Sequence, residues 1–401
     1  MPRAPTMTPP GGSAPGDGAG GDARAGDNDP RTPVNVLTGF LGSGKTTLLR
    51  RVLRDPAFAD TAVLINEFGE VGLDHLLVGR LDDAPVLLPS GCVCCALRGD
   101  LRRAMRDLHE GRRRGDLPPF RRVIVETTGL ADPAPLLATV AFDLVLRRQF
   151  RPGNVVATVD AVHAEGVLHT RPEPAKQIAA ADRLLITKTD LVSEAHVARV
   201  AAVLRGINPA AAVSVAVDGR VDPEFVLRQG VHDPETKLAE VRRWLAARGD
   251  LGADAAPGHG PVRSFVVEHD GPLDWSAFGL WFSLLVHRHG GRLLRVKGLL
   301  DVEGSATPVA IHAVQHLIHA PEHLPAWPTP ERGSRLVFIT DGLDGGPVRR
   351  SFSVFHRLGR VDAGRRAGAG HVRPSGPGPS GARASRAPEA GASASGRDDG
   401  R

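Results

Sequence analysis

Residues 39–46 read GFLGSGKT and match the pattern GxxxxGK[ST], which limits the possible folds of the chain more than any other segment does. An apolar, β-branched run at residues 34–38 precedes the motif, and a segment of helical period at residues 46–53 follows it. A phosphate-binding loop requires this order, because its glycines curl backbone N–H groups around phosphate oxygens where a helix begins. The motif therefore predicts an α/β domain that binds a nucleotide.

Each residue type in the motif has an expected role. Lys45 reaches the β- and γ-phosphate oxygens, and the Thr46 hydroxyl ligates Mg²⁺. The residues predicted to bind the nucleotide phosphates are Gly39, Gly42, Ser43, Gly44, Lys45, Thr46 and Thr47.

Strand-like and helical patterns alternate after this loop. Apolar runs lie at residues 62–65, 86–88, 123–125, 155–159 and 184–187, and charged stretches of helical period, such as 97–109 and 134–146, lie between most of them. Continuous apolar strands that alternate with helices are typical of a parallel sheet covered on both faces. We therefore predict a P-loop α/β domain with a parallel sheet and helices on both faces.

A change of pattern near residue 250 predicts a second domain. Strand-like runs at residues 262–268, 292–300 and 336–340 are separated by helical stretches at 275–287 and 309–319, which indicates a smaller α+β domain. Glycine and proline are concentrated in the two ends of the chain, which favours disorder there. The predicted organisation is a disordered leader (1–32), a P-loop domain (33–248, ending in a helix at 234–248), a linker (249–261), the C-terminal domain (262–358) and a disordered tail (359–401).

An acidic element follows the run at residues 123–125. Glu126 at the end of a strand beside a P-loop is placed to hold Mg²⁺ through a bound water, and Gly129 can offer its N–H to a γ-phosphate. With Lys45 they are the predicted catalytic residues. The alternative is that Glu126 caps the next helix.

Residues 187–190 read TKTD at the end of another apolar run. The Asp190 carboxylate can accept two hydrogen bonds from N1 and N2 of guanine, and the Lys188 stem can lie along the base. Because adenine lacks this pair of donors, the motif favours GTP, with Thr187, Lys188 and Asp190 as the base-binding residues. A helix N-cap role for Asp190 is the alternative.

All three cysteines of the chain, Cys92, Cys94 and Cys95, lie within four positions. This spacing excludes a disulfide framework, because bridges need separated pairs. Three thiolates can converge on one soft cation and leave a fourth position of Zn²⁺ open, which suits exchange of the metal. A redox centre or incidental buried cysteines are the alternatives.

His312, His316 and His319 are spaced i, i+4 and i+7, so that on a helix they would share one face. They predict either a second metal site or, as the more ordinary interpretation, a partly buried helix face.

Net charge and hydropathy limit the classes of partner that we expect for this chain. The charge of +5 is spread along the chain, and its short arginine clusters lack interleaved aromatic residues that would stack bases, so we predict no specific nucleic-acid partner. No apolar run reaches the roughly 18 residues of a membrane span, and the N-terminus lacks the apolar core of a signal peptide. We therefore expect a cytoplasmic protein, and leave homo-oligomerisation open.

The motifs taken together resemble the CobW-type P-loop GTPases of the SIMIBI class, a group of proposed zinc and cobalt metallochaperones. The resemblance runs from about residue 33 to 345 and rests on VLTGFLGSGKTTLL, INEFGE, GCVCCALRGDL, ETTGLADP, TKTD, RVKGLLDV, HAVQHLIHAPEHLPAWP and RLVFI. It implies a Mg²⁺-dependent GTPase that couples nucleotide binding and hydrolysis to delivery of Zn²⁺ from Cys92, Cys94 and Cys95 to a client metalloprotein.

The resemblance also implies roles for single residues. Residues 66–70 resemble the first switch of the family, in which an acidic residue, here Glu67 or Glu70, can face both nucleotide and metal; Glu70 is the predicted additional zinc ligand. Thr187 stands where the family pattern NKxD has asparagine, which predicts a weaker brace on the base loop. A docking peptide for methionine aminopeptidase and the metal-rich leaders of nickel GTPases are not found before the P-loop.

Three other functions fit parts of the pattern. A cobalt chaperone for cobalamin synthesis would use the same thiolates, since they also accept Co²⁺. A non-catalytic metal buffer or sensor would use the nucleotide only to gate metal binding. A P-loop kinase would need an acceptor pocket and a lid, for which the sequence has no signal.

Overall fold

The computed structural model describes residues 29–65, 76–78, 97–217, 220–227, 241 and 262–368. The unit Met1–Gly359 contains two sheets, and in the unit Arg360–Arg401 the structure describes the end of one helix. The strands are β1 (Thr32–Gly39), β2 (Thr61–Ile65), β3 (Leu76–Val78), β4 (Arg122–Glu126), β5 (Phe150–Asp160), β6 (Arg183–Thr187), β7 (Ala212–Val215), β8 (Val262–His269), β9 (Leu293–Leu300), β10 (Val309–Val314), β11 (Leu317–Ile318), β12 (Glu322–His323) and β13 (Ser334–Asp341). The helices are α1 (Lys45–Val52), α2 (Leu97–Arg114), α3 (Ala134–Phe142), α4 (Ala164–Thr170), α5 (Pro172–Ala180), α6 (Glu194–Ile207), α7 (Pro223–Leu227), α8 (Trp275–His289) and α9 (Gly345–Gly368).

The first sheet has seven strands in the order β3-β2-β4-β1-β5-β6-β7. Six of them are parallel, as predicted, and β3 pairs antiparallel with β2 at the edge. Every residue of β1 and β6 is buried, which explains their continuous apolar pattern. The predicted strand at residues 86–88 lies outside the described residues.

The central strand β1 pairs with β4 on one side and with β5 on the other. Because the strands are parallel, the segments that follow β1, β4, β5 and β6 emerge at the same edge of the sheet. Four loops that are far apart in the chain therefore meet beside α1.

The second sheet is antiparallel, with the order β11-β10-β9-β13-β8 and with β12 paired to β10. Helix α8 packs on it through Phe278, Trp281 and Phe282, and the Trp281 ring lies edge-on to Phe338 of β13. This is the predicted α+β domain.

The predicted helix at residues 309–319 was wrong, since these residues form β10 and β11 joined by a turn. Val309 and Ile311 pack in the core beneath α8, whereas Ala310 is buried in a different cluster. Because β10 has apolar residues on both faces, it lacks the alternation of apolar and polar residues that indicates a strand. The spacing of the histidines, in addition, matched the period of a helix.

The other helices lie close to where their patterns predict them. Helices α1, α2 and α8 confirm three predictions, and α3 ends at Phe142, before a short 3₁₀ turn at Leu146–Arg148. Helix α9 continues past the predicted domain end at residue 358. The predicted linker, the helix at 234–248 apart from residue 241, and most of the leader and tail lie outside the described residues, so the domain boundaries stay predictions. Within the part of the chain that the structure describes, no helix has the length and apolar character to cross a membrane.

Candidate nucleotide and metal site

The P-loop runs from the end of β1 into α1, and its glycines are needed for two different reasons. A Cβ on Gly39 would lie 2.4 Å from the carbonyl oxygen of Thr158, so only glycine allows this approach of β1 to β5. Gly44 has a φ of 88° and precedes α1 in the left-handed region. The loop thus reaches the positive end of the α1 dipole, where a phosphate is favoured.

Lys45 is buried at the first position of α1. Its ammonium donates to the carbonyl oxygens of Gly39 and Phe40, at 2.8 and 3.1 Å. The side chain therefore curls back over the loop, where its charge is available to phosphate oxygens.

Thr46 and Glu126 come together although they are 80 residues apart. The Thr46 hydroxyl donates to Glu126 Oε1 at 2.6 Å. A hydroxyl and a buried carboxylate are the oxygen ligands that Mg²⁺ prefers, directly or through water, so this pair fits the predicted ion. Thr47, by contrast, is exposed.

Glu126 is not placed as the cap of the next helix. Asp132 Oδ1 accepts from the N–H of Ala134 in the first turn of α3, at 2.9 Å. The capping interpretation of Glu126 is therefore not supported.

Gly129 lies directly against the P-loop. A Cβ on Gly129 would be 2.6 Å from the backbone nitrogen of Leu41, which requires glycine here. The buried Gln177 of α5 donates to the carbonyl oxygens of Gly129 and Ala131, at 3.1 and 3.0 Å. We call residues 127–133 the Gly129 loop.

The base loop, residues 187–190, is tied to the P-loop. Thr187 is buried, and its hydroxyl donates to the carbonyl oxygen of Ser43 at 2.8 Å and to that of Val159 at 3.2 Å. Thr187 thus forms a hydrogen bond between the two loops. This is the connection that the replacement of asparagine by threonine was predicted to weaken.

Lys188 has a left-handed φ of 56°, and its ammonium pairs with Asp160 Oδ2 at 2.7 Å. His163 Nδ1 lies 2.8 Å from the same oxygen. Burial raises the pKa of Asp160, but the hydrogen bonds of Lys188 and His163 outweigh it and hold the pKa below its usual value. Asp160 is therefore a carboxylate, and its negative charge holds the Lys188 ammonium in place.

Lys188, Asp160 and His163 also line a cavity of about 260 Å³ between the P-loop and helices α4 and α5. Apolar side chains such as Val167 and Ile178 form other parts of its wall. A charged rim on an apolar wall suits a flat polar ring.

Asp190 is exposed in the 3₁₀ turn Thr189–Leu191, where its carboxylate is accessible to a base. It does not cap the next helix, because Ser193 is the N-cap of α6 and accepts from His196 N. The N-cap alternative for Asp190 is thus not supported.

A chain of hydroxyl groups runs beneath the P-loop. Thr127 donates to the Thr38 hydroxyl at 2.9 Å, and the Thr158 hydroxyl lies 3.3 Å from Thr38 O and 2.7 Å from Ser43 Oγ. Through the bond from Thr187 to Ser43 O, this chain connects the Gly129 loop with the base loop.

Sequence reasoning missed Thr158, Asp160 and Gln177. Asp160 could have been found, because it directly follows an apolar run in the same way as Glu126. Thr158 and Gln177 carry no such signal, since a threonine within a strand and a glutamine within a helix are ordinary.

The predicted metal ligands Cys92, Cys94, Cys95 and Glu70, together with Glu67, lie outside the described residues. Within the described ranges, no group of three or more His, Cys, Asp or Glu side chains is arranged to hold a metal.

The three histidines do not share a helix face. His316 is exposed and its ring packs against Gly290, whereas His312 and His319 line a small cavity with Asp182 and Arg295. Burial, followed by the nearby charges of Lys297 and Arg295, holds the pKa of His312 well below its usual value. These cations also oppose binding of a metal ion, so the second metal site is not supported.

Comparison with known families agrees with this arrangement. Residues 33–215 match the family model of the CobW/HypB/UreG nucleotide-binding domain, and residues 262–355 match the cobalamin synthesis protein cobW C-terminal domain. The zinc chaperone YjiA of Escherichia coli (strain K12) is 33% identical over 320 residues, which cover 80% of this chain and 97% of YjiA. The chain belongs to the CobW family.

Two further matches span the two domains of this CobW-family protein. The zinc chaperone CobW of Sinorhizobium sp is 30% identical over 358 residues, covering 82% of this chain and 98% of that protein. The crystal structure of Zn(II)-bound YjiA GTPase from E. coli superposes with a TM-score of 0.61 at 30% identity and covers 81% of this chain and 99% of YjiA. The fold of the two domains is therefore that of a CobW-family P-loop protein.

Proposed function

We propose that this chain is a GTP-hydrolysing metallochaperone that binds Zn²⁺ at Cys92, Cys94 and Cys95 and transfers it to a client metalloprotein. The observation that carries the proposal is the packing of Gly129 against Leu41 of the P-loop. A loop in this position can respond to a γ-phosphate, as a nucleotide-driven cycle requires. Family membership, with relatives named zinc chaperones, supports zinc as the cargo.

The phosphate half of the mechanism uses residues that lie at one edge of the sheet. Lys45 neutralises β- and γ-phosphate oxygens, and the Gly129 N–H binds the γ-phosphate. Thr46 and Glu126 would hold Mg²⁺, which supplies further charge neutralisation when it is bound.

Hydrolysis depends on positioning rather than on a strong base. Among the described residues around the P-loop, no side chain stands out as a general base for the attacking water. Alignment of water and stabilisation of charge then provide most of the rate, and we expect slow turnover until a client or metal intervenes.

Selection of guanine is assigned to the base loop. Asp190 accepts from N1 and N2 of guanine, and Lys188, held by Asp160 at 2.7 Å, lies along the ring. Since adenine offers no matching donors, GTP should be preferred over ATP.

The metal half depends on thiolate chemistry. Three thiolates bind Zn²⁺ tightly and leave one position for a client ligand. Residues 66–70, which resemble the first switch of the family, are proposed to couple the nucleotide to the metal, so that hydrolysis of GTP loosens the zinc.

The decisive experiment is Zn²⁺ affinity of the full chain with GTP, GDP and no nucleotide. We expect the wild type to bind Zn²⁺ with different affinity in each state, and Cys94→Ser to lose most of this binding. His316→Gln is the matched control, because it removes an exposed histidine far in sequence from the thiols. Equal affinities in all three states would exclude the chaperone cycle.

A GTPase assay distinguishes the proposal from a metal buffer. Turnover above that of Lys45→Ala is expected, and it should be higher with GTP than with ATP. Absence of turnover with Zn²⁺ and Mg²⁺ present would favour a non-catalytic buffer, and preferential retention of Co²⁺ in competition would favour a cobalt chaperone.

A further inference from the structure

A glutamine of the C-terminal domain contacts the Gly129 loop. Gln315 lies in the two-residue turn between β10 and β11, and its Nε2 donates to Asp132 Oδ2 at 2.6 Å. The two residues are separated by 183 positions, and Asp132 lies three residues after Gly129. The contact therefore connects the C-terminal domain with the segment expected to meet a γ-phosphate.

The Gly129 loop is held from three directions. Gly129 packs on the backbone of Leu41 in the P-loop, Gln177 of α5 donates to Gly129 O and Ala131 O, and Gln315 binds Asp132. Only the last of these contacts comes from outside the nucleotide-binding domain. The position of the loop thus depends on how the C-terminal domain packs.

The turn that carries Gln315 is itself firmly anchored. Gln315 N donates to Leu293 O at 2.9 Å, and the flanking residues Val314 and Leu317 are buried in the same core cluster as Leu137 of α3. Helix α3 begins just after Asp132. The turn therefore packs in the same core as α3, the helix that directly follows the Gly129 loop.

The backbone conformation of Gln315 is unusual for a residue other than glycine. Its φ of 51° lies in the left-handed region, where glycine or asparagine is favoured. A glutamine in this conformation is tolerated when the surrounding structure holds it there. Its longer side chain is what reaches Asp132.

We propose that Gln315 is a positioning residue for hydrolysis. By holding Asp132, it keeps the Gly129 loop in the geometry that receives the γ-phosphate, so that hydrolysis depends on docking of the C-terminal domain. The inference rests on the proposed GTPase activity.

The first test compares steady-state GTP hydrolysis by the full-length wild type and Gln315→Gly. Glycine removes the amide but relaxes the backbone, so the thermal midpoint should stay equal or rise. We expect kcat to fall about three- to tenfold, the order of effect of one lost hydrogen bond. KM for GTP should stay within about twofold, because the side-chain amide of Gln315 binds Asp132 rather than a residue of the base loop or the P-loop. Unchanged kcat in a protein that hydrolyses GTP would overturn the inference.

A charge-swap pair gives a second test that a merely structural role would not satisfy. Gln315→Glu is nearly isosteric and sets a carboxylate against Asp132, so it should lower kcat more than Gln315→Gly. Adding Asp132→Asn restores a donor and acceptor pair and should return kcat to within about twofold of wild type. If Asp132→Asn does not restore activity, the inference is wrong. If instead the wild type hydrolyses GTP no faster than Lys45→Ala, the proposed function has failed.

Discussion

The Thr187 hydroxyl donates to the carbonyl oxygen of Ser43 at 2.8 Å, across 144 positions of the chain. This chain has Thr187 where the pattern NKxD has asparagine. The threonine hydroxyl reaches the P-loop although no asparagine is present at this position. Because Thr187 is buried, the bond is shielded from water and its loss would leave the Ser43 carbonyl without this donor.

Thr187→Val should weaken binding of guanine nucleotides. Valine has nearly the shape of threonine but cannot donate, so we expect GDP affinity to fall about five- to tenfold and the free energy of unfolding to fall by about 1–3 kcal/mol. Thr187→Ser keeps the hydroxyl and is the control. Titration with a fluorescent GDP and urea unfolding measure the two effects; equal results for the valine and serine variants would contradict the prediction.

Gly129→Ala should impair hydrolysis more than binding of GDP. The new methyl group would lie 2.6 Å from Leu41 N, so the Gly129 loop must move away from the P-loop. We expect about a hundredfold lower kcat, the order of effect of one lost donor to a transition state. Gly166→Ala, where no atom lies within 4 Å of the new methyl, is the control and should behave as wild type. If Gly129→Ala and Gly166→Ala lose similar fractions of kcat, the loss does not come from a clash with Leu41.

Thr46→Val should change the Mg²⁺ dependence of hydrolysis. Thr46 binds Glu126 at 2.6 Å, and valine removes one of the two oxygen donors of this pair. The Mg²⁺ concentration for half-maximal rate should rise by about tenfold or more, while Thr46→Ser should stay near wild type. An unchanged Mg²⁺ titration for the valine variant would show that Thr46 is not a ligand.

His312→Gln should reduce the loss of stability on acidification. Burial, then Lys297, Arg295 and His319, depress the pKa of His312, and only Asp182 opposes them. The unfolded chain therefore takes up a proton below about pH 6.5 that the folded protein resists, so stability present above this pH is lost as the pH falls. Thermal midpoints at pH 7.5 and 5.5 should differ less for the variant than for the wild type. If the thermal midpoint falls by the same amount in both proteins, a group other than His312 causes the pH sensitivity.

Asp182→Asn should destabilise the contact between the two domains. Asp182 pairs with Arg295, and its Oδ1 lies 3.6 Å from Lys297 Nζ; both cations are almost fully buried. Removing the carboxylate takes away the negative charge beside these two buried cations, at a cost of about 3–5 kcal/mol in unfolding free energy. The pair of Arg335 with the exposed Glu268 offers a control, because Glu268→Gln should cost less than about 1 kcal/mol. Denaturant unfolding of both variants tests the difference.

Much of the site could be predicted from the sequence, because its parts are local. The P-loop, Glu126, Gly129 and the base loop each follow a buried apolar strand, and parallel strands bring their carboxyl ends together. The sequence could also place Thr187 in the base loop. It could not show that the Thr187 hydroxyl replaces the asparagine brace, since this depends on the distance to Ser43 across the sheet.

The α/β fold, its nucleotide loops and the family could all be predicted from the chain alone, because they follow from local periodicity and from motifs a few residues long. The tertiary structure decided that residues 309–319 are strands, since burial on both faces of β10 erased the alternating pattern. It also decided the contacts of Asp160 with Lys188 and of Gln315 with Asp132. Such pairs are distant in the chain, and only the order of strands and the packing of the second domain bring their polar atoms within hydrogen-bonding distance.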